Sequence, residues 1–206
     1  MPFFAAKMEI LYYIDLLGTV VFAISGALTA SAKKLDFFGI SAVAFITALG
    51  GGTLRDVLLG STPVGWISQV DYLLMIVLGI SVALLFRKYV QKLRRTFFLF
   101  DTIGIAVFTV LGLQKALSAG VSPVICIMMG MISAVFGGVI RDVVCNEIPL
   151  IFRKEFYAVT CILGGCLYFI LLKLGIVGEL NVIISCASIV VIRILAVRYK
   201  WRMPSF

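Results

Sequence analysis

The chain has 206 residues, 62% of them hydrophobic and 14% charged, with no histidine and a formal net charge of +8. A soluble domain carries roughly 25% charged residues, so this composition excludes an ordinary soluble fold. With no histidine, no Gly-x-Ser-x-Gly and no Gly-Lys-Ser/Thr, it also offers no hydrolase, zinc or nucleotide motif, and neither enzyme activity nor a cofactor is expected.

Runs approaching the ~20 apolar residues that cross a bilayer recur along the chain. They predict seven spans at about 12–32, 37–60, 70–86, 96–114, 123–145, 156–174 and 181–197. The reading is therefore an all-α polytopic membrane protein forming a single membrane domain over 1–206. The N-terminus shows no basic region followed by a small-residue cleavage site, so the first span is expected to stay in place.

The basic residues are unevenly distributed between the loops. Lys33, Lys34, Arg87, Lys88, Lys92, Arg94, Arg95, Arg153, Lys154, Arg198, Lys200 and Arg202 fall on one side, against Lys7, Lys115 and Lys173 on the other. The positive-inside rule then places the N-terminus outside and the C-terminus in the cytoplasm. A basic cytoplasmic rim accounts for the net charge without a nucleic-acid partner. Cys126, Cys145, Cys161, Cys166 and Cys186 lie in or at the ends of spans, form no Cys-x-x-Cys pair, and read as packing residues rather than metal ligands.

Residues 15–63 reappear at 101–149 with a constant offset of 86 and no gaps. Asp15, Gly18, Phe22, Gly26, Gly51-Gly52, Arg55-Asp56 and Pro63 match Asp101, Gly104, Phe108, Gly112, Gly137-Gly138, Arg141-Asp142 and Pro149. Apolar coincidences are common in such a chain, but repeated Asp, Gly-Gly, Arg-Asp and Pro are not. Repeat 1 covers about 12–86, repeat 2 about 98–174, and the seventh helix, about 181–197, lies outside. An odd number of crossings per unit makes the two repeats inverted, an architecture associated with transport.

The second and fifth spans carry Gly50, Gly51, Gly52 and Gly137, Gly138. Each Gly weakens a helix by about 1 kcal/mol relative to Ala, so Gly-broken second and fifth helices are expected, with a pathway beside them. The alternative is that the glycines serve close helix packing. Thr47 and Ser133, equivalent by the repeat, precede the glycines by one turn; with Thr53 they are candidate pore residues. Thr19, Ser25, Thr29, Thr102 and Thr109 are weaker members of the same polar track, and each reads more simply as a backbone-bonded helix residue.

The intramembrane charges are Asp15, Arg55, Asp56, Asp101, Arg141 and Asp142. Unpaired at mid-membrane each would cost roughly 2.5–3.5 kcal/mol. Their depths predict cross-helix ion pairs Asp15–Arg55 and Asp101–Arg141; the alternative is snorkelling arginines and helix-capping aspartates. Lys115, Lys33 and Lys34 read as solvated loop or vestibule residues, and Pro63 and Pro149 as helix terminators.

With GGGTLRDVLLGSTP at 50–63, FGGVIRDVVCNEIP at 136–149 and a seventh helix, the chain resembles the prokaryotic TRIC proteins, or trimeric intracellular cation channels. Their repeat is also described as a glycine-transporter domain. The resemblance implies a homotrimer with a pore inside each subunit, between kinked second and fifth helices. It further implies K⁺ and Na⁺ as permeant ions bound only transiently, membrane lipids as partners, and gating at Arg55 and Arg141. The long charged C-terminal tail of the animal members and an ER retrieval signal are missing, so a prokaryotic inner membrane is expected. The competing readings are a secondary transporter for glycine or another small amino acid, and a scaffold without substrate, which the repeated intramembrane Arg-Asp disfavours.

Overall fold

The computed structural model describes residues 2–85, 94–153 and 156–203, with side chains described from Tyr12 in the first helix and from Phe98 in the fourth. The basic residues expected at 87–92 and Lys154 lie outside the described residues.

Helices follow the predicted spans within a few residues, except that the first begins ten residues earlier: α1 Pro2–Ala32, α2 Phe37–Leu58, α3 Asp71–Leu85, α4 Arg94–Ser118, α5 Pro123–Val144, α6 Ala158–Lys173 and α7 Glu179–Arg198. Short 3₁₀ turns at Gly65–Ile67 and Leu150–Phe152 follow α2 and α5. Among the described residues five helices carry membrane-length apolar spans, in α1 from Tyr12 and in α4 from Phe98. α6, with 16 residues, is shorter. At 1.5 Å per residue it covers only ~24 Å of a ~30 Å hydrocarbon layer.

Packing follows the repeat. α1 lies against α2 and α3 as α4 lies against α5 and α6; α1 meets α4 and α2 meets α5 at the centre, while α7 packs on α6 and α4. Repeat-related residues touch each other across this centre, as an inverted pair requires. The Phe22 and Phe108 rings stack at 5.0 Å between centroids. A Cβ on Gly18 would lie 3.2 Å from the Phe108 ring, and one on Gly104 would strike the Phe22 ring.

The turns repeat as well. Gly60 (φ 67°) and Asn146 (φ 54°) take the left-handed conformation just after α2 and α5, and Lys34 (φ 60°) and Gly120 (φ 77°) do so after α1 and α4. After α2, Gly60 N–H donates to Val57 O (3.1 Å) and Ser61 N–H to Asp56 O (2.8 Å). After α5, Asn146 N–H donates to Val143 O (3.0 Å) and Glu147 N–H to Asp142 O (2.8 Å). These bonds satisfy carbonyls that the last helical turn leaves open. The helices thus stop at a left-handed residue, and Pro63 and Pro149 follow in the connection instead of ending them.

The expected break at the glycines is not found: α2 and α5 are helical from end to end. What the glycines provide is proximity. A Cβ on Gly51 would strike the Ser133 carbonyl, and one on Gly137 the Thr47 carbonyl. Gly26 and Gly112 repeat the device, their Cβ positions lying 2.6 Å from Thr47 Oγ1 and 2.7 Å from Ser133 Cβ. Small residues let helix backbones approach without a hydrophobic driving force; Gly51 and Gly137 do so where the repeats cross, Gly26 and Gly112 within each repeat.

Candidate functional site

Both Arg-Asp dipeptides sit in the last helical turns of α2 and α5, and each builds a cluster from its own sequence. Arg55 Nε donates to Asp56 Oδ1 (2.8 Å), and Arg141 Nε to Asp142 Oδ1 (2.8 Å). The other oxygen of each aspartate accepts a backbone N–H from the following 3₁₀ turn, Gly65 (3.1 Å) for Asp56 and Leu150 (3.3 Å) for Asp142. Each carboxylate therefore orients its neighbouring guanidinium and ties down the connection. Each arginine then reaches across the molecule: Arg55 Nη1 donates to Ser133 Oγ on α5 (3.2 Å), and Arg141 Nη1 to Ser25 Oγ on α1 (2.9 Å).

Beyond this shared plan the two ends differ. Arg141 also pairs with Asp101 Oδ1 at 3.1 Å, as the sequence predicts. Arg141, Asp101 and Asp142 are all buried, as is Ser25. At the Arg55 end the predicted pair is not formed. Asp15 accepts a hydrogen bond from Tyr72 on α3 at 2.6 Å instead, and among the described residues it makes no ion pair. The second cation at Asp56 is Lys115, from the last turn of α4, with Nζ 2.8 Å from Oδ2. Drawing Asp15 towards α3 separates it from Arg55 and leaves space.

That space is a cavity of about 480 Å³ between α1, α2 and α4, whose lining includes Asp15, Arg55, Asp56, Lys115, Gly52 and Thr53. Trp66 in the first 3₁₀ turn closes its rim, donating from Nε1 to Thr53 Oγ1 at 3.0 Å. Two carboxylates and two cations share the lining with Ala48, Leu49, Phe108 and Leu111, and can exchange a water or ion for their mutual contacts.

Of the other pore candidates, Thr47 bonds the Val43 carbonyl (2.6 Å) and Thr53 the Leu49 carbonyl (2.8 Å) within their own helix. Thr19, Thr29 and Thr109 do the same, in accord with the simpler reading. Ser133 and Ser25 are different, because each accepts from an arginine. Gly51 and Gly137 are filled by the facing backbone, and Gly138 lies against Tyr157 and Arg141. Gly50 faces Ile140. Sequence reasoning missed the roles of Tyr72, Trp66 and Lys115. The one available signal was Lys115, an isolated cation at the predicted depth of Asp56. Among the described residues no cluster could hold a metal ion.

At the Arg141 end, outside the spans, Lys33 after α1 pairs with Glu147 after α5, and Arg153 Nη2 lies 3.4 Å from the same carboxylate. The adjoining lysine holds the Glu147 carboxyl below its ordinary value of 4.5.

The glycine transporter family profile matches residues 12–88 and again 98–173, one copy for each repeat. A UPF0126 membrane protein of Vibrio cholerae is 40% identical over 203 residues, covering 98% of this chain and 85% of its own. The UPF0126 inner membrane protein YadS of Escherichia coli K12 is 36% identical, covering 96% of both chains. Among solved structures, the TRIC trimeric intracellular cation channel orthologue from Rhodobacter sphaeroides superposes with a TM-score of 0.84 at 32% identity, over 93% of this chain and 98% of that one. A prokaryotic TRIC channel in 0.5 M KCl gives a TM-score of 0.87 at 30% identity, over 95% and 100%. The duplicated profile, the full-length relatives and the shared seven-helix inverted-repeat fold leave one conclusion: the chain belongs to the UPF0126 glycine-transporter repeat family, the family of the prokaryotic TRIC channels.

Proposed function

We propose that this protein is a channel for monovalent cations, K⁺ and also Na⁺, with a pore inside each subunit of a homotrimer. It resides in a prokaryotic inner membrane, N-terminus outside and C-terminus cytoplasmic. The solved relatives are cation channels by name, and one is described as trimeric. The observation that carries the reading is the charged cavity at the Arg55 end, lined by the same Arg55 that bonds Ser133 on α5. A cation arriving there meets Asp15 and Asp56, then the hydroxyl of Thr53.

The pathway continues between α2 and α5 to Ser25 and Arg141, past Thr47, Ser133 and the glycine pairs, where the two helices must part for it to open. Arg55 and Arg141 occupy it in the closed state. Opening moves each guanidinium off its serine, while the adjacent aspartate keeps it partnered. Carbonyl and hydroxyl dipoles then attract a cation without a fixed binding charge, and without a TVGYG-type filter K⁺/Na⁺ discrimination is modest.

The test is purified protein in a planar bilayer under a KCl gradient, with Arg55→Ala and Arg141→Ala beside wild type. Discrete unitary steps reversing towards the K⁺ potential, with openings prolonged in both variants, support the proposal. A silent bilayer together with saturable glycine uptake into liposomes overturns it in favour of a carrier.

A further inference from the structure

A second cavity, about 360 Å³ in volume, lies where the end of α7 meets the connection from α5 to α6. The sequence makes its wall. After α7, Lys200 takes a left-handed conformation (φ 54°) and Trp201 N–H reaches back to the Ala196 carbonyl at 2.9 Å. This turn folds the chain back, so that Trp201 meets the Phe156 ring edge-on at 5.9 Å between centroids. Lys200 and Arg202 then face a space also lined by Arg153 and Arg193, and no described lining residue is acidic.

The four cations are not equivalent. Arg193 is buried and fixed: Nη1 donates to the Phe156 carbonyl at 3.0 Å, and the guanidinium lies 4.9 Å from the centroid of the Tyr157 ring. Arg153 is oriented by its Nε bond to the Ile148 carbonyl (2.8 Å) and shares Glu147 with Lys33. Lys200 and Arg202 are exposed. A preset guanidinium floor with adjustable cations above it suits a tetrahedral oxyanion, because guanidinium forks match phosphate oxygens. Trp201 at the rim has the amphipathic character that favours the headgroup level. The pocket opens on the side that the basic residues mark as cytoplasmic, where the leaflet is anionic and basic pockets between helices take lipid headgroups.

The geometry points to a phosphate-binding site formed by Arg153, Arg193, Lys200 and Arg202 with Trp201, filled by an anionic phospholipid headgroup or a soluble phosphate. It lies on α7 and the α5–α6 connection, apart from the cavity at Arg55, and does not depend on the channel reading.

The experiment uses the full-length protein in vesicles and reads tryptophan fluorescence. Dibrominated phosphatidylglycerol is compared with dibrominated phosphatidylcholine, and inorganic phosphate is titrated against chloride at matched ionic strength. Wild type is set beside three single-charge removals: Lys200→Gln, Arg202→Gln and, on the same rim away from the pocket, Lys34→Gln. Trp66, at the opposite end, adds the same background to every protein. The expected result is stronger quenching by phosphatidylglycerol in wild type and in Lys34→Gln, largely lost in Lys200→Gln and Arg202→Gln. If phosphate relieves the excess, or alone shifts emission in the same two proteins, the occupant is a soluble phosphate; if it does neither, the occupant is the headgroup. If neither probe separates Lys200→Gln and Arg202→Gln from Lys34→Gln, the site does not exist.

Discussion

Gly51 and Gly137, equivalent in the two repeats, each lie against the other helix at the residue one turn before its own glycines: Gly51 against the Ser133 carbonyl, Gly137 against the Thr47 carbonyl. The contact is backbone to backbone, so no rotamer change can relieve an added methyl. Gly51→Ala or Gly137→Ala is expected to destabilise the protein by about 1–3 kcal/mol or more, as overpacking does. Gly52 has only the tip of Arg55 near its Cβ position, at 3.7 Å. Gly52→Ala therefore gains helix propensity, ~1 kcal/mol, and keeps or raises the thermal midpoint. Unfolding scans of the three variants in detergent decide it: a Gly51→Ala midpoint equal to wild type would mean the crossing is not as close as described.

The two equivalent aspartates have unequal roles. Asp101 neutralises a buried arginine, whereas Asp15 holds only a tyrosine hydroxyl. Asp101→Ala is expected to cost about 3–5 kcal/mol, the usual loss when one partner of a buried pair is removed. Asp15→Ala is expected to cost nearer ~1 kcal/mol, one hydrogen bond. Denaturant midpoints of the two variants, taken under one condition, should differ in that order. Equal losses would show that the asymmetry has no energetic weight.

Lys115 places a half-exposed cation over Asp56 at the mouth of the larger cavity. Lys115→Gln removes a repulsive charge from the approach of a cation and is expected to raise unitary K⁺ conductance at low ionic strength. The gain should shrink as salt rises, because the Debye length falls to about 8 Å at 0.15 M. A salt-independent change would point to altered shape instead of charge.

Glu147 joins the ends of the two repeats through Lys33, and its folded-state pKa is lowered by that contact. A carboxyl with a depressed folded pKa contributes stability that is present above its unfolded value and lost as pH falls through the folded one. The midpoint difference between wild type and Glu147→Gln should thus be constant from neutral pH down to about 4.5. Below that it should shrink as acid protonates the carboxyl. The same titration in Lys33→Ala should show a smaller loss, because without the lysine the folded pKa lies closer to the unfolded one.

The sequence displays the architecture clearly because membrane spans and an ungapped repeat are one-dimensional signals. Asp15/Asp101 and Arg55/Arg141 were visible as equivalents for the same reason. What the repeat could not reveal was its own breakage. Tyr72 and Lys115, which redirect Asp15 and Asp56, have no counterpart in the other copy: residues 158 and 29, opposite them by the offset, are an alanine and a threonine. The glycines misled in the other direction. Propensity alone marks them as weak points, yet a helix whose weak residue is covered by a neighbouring backbone keeps its hydrogen bonds, so α2 and α5 stay helical through them.

The unequal ends have an electrical consequence. A vestibule wide enough for water conducts, so little of the membrane potential falls along it. On the channel proposed above, the drop would concentrate over the half where the buried Arg141 is packed between Asp101 and Asp142. A full elementary charge crossing that drop is worth about 2.3 kcal/mol per 100 mV. In that channel Arg141 would sit where a small displacement does the most electrical work, while Arg55, beside the open cavity, would stand at nearly the potential of the bath.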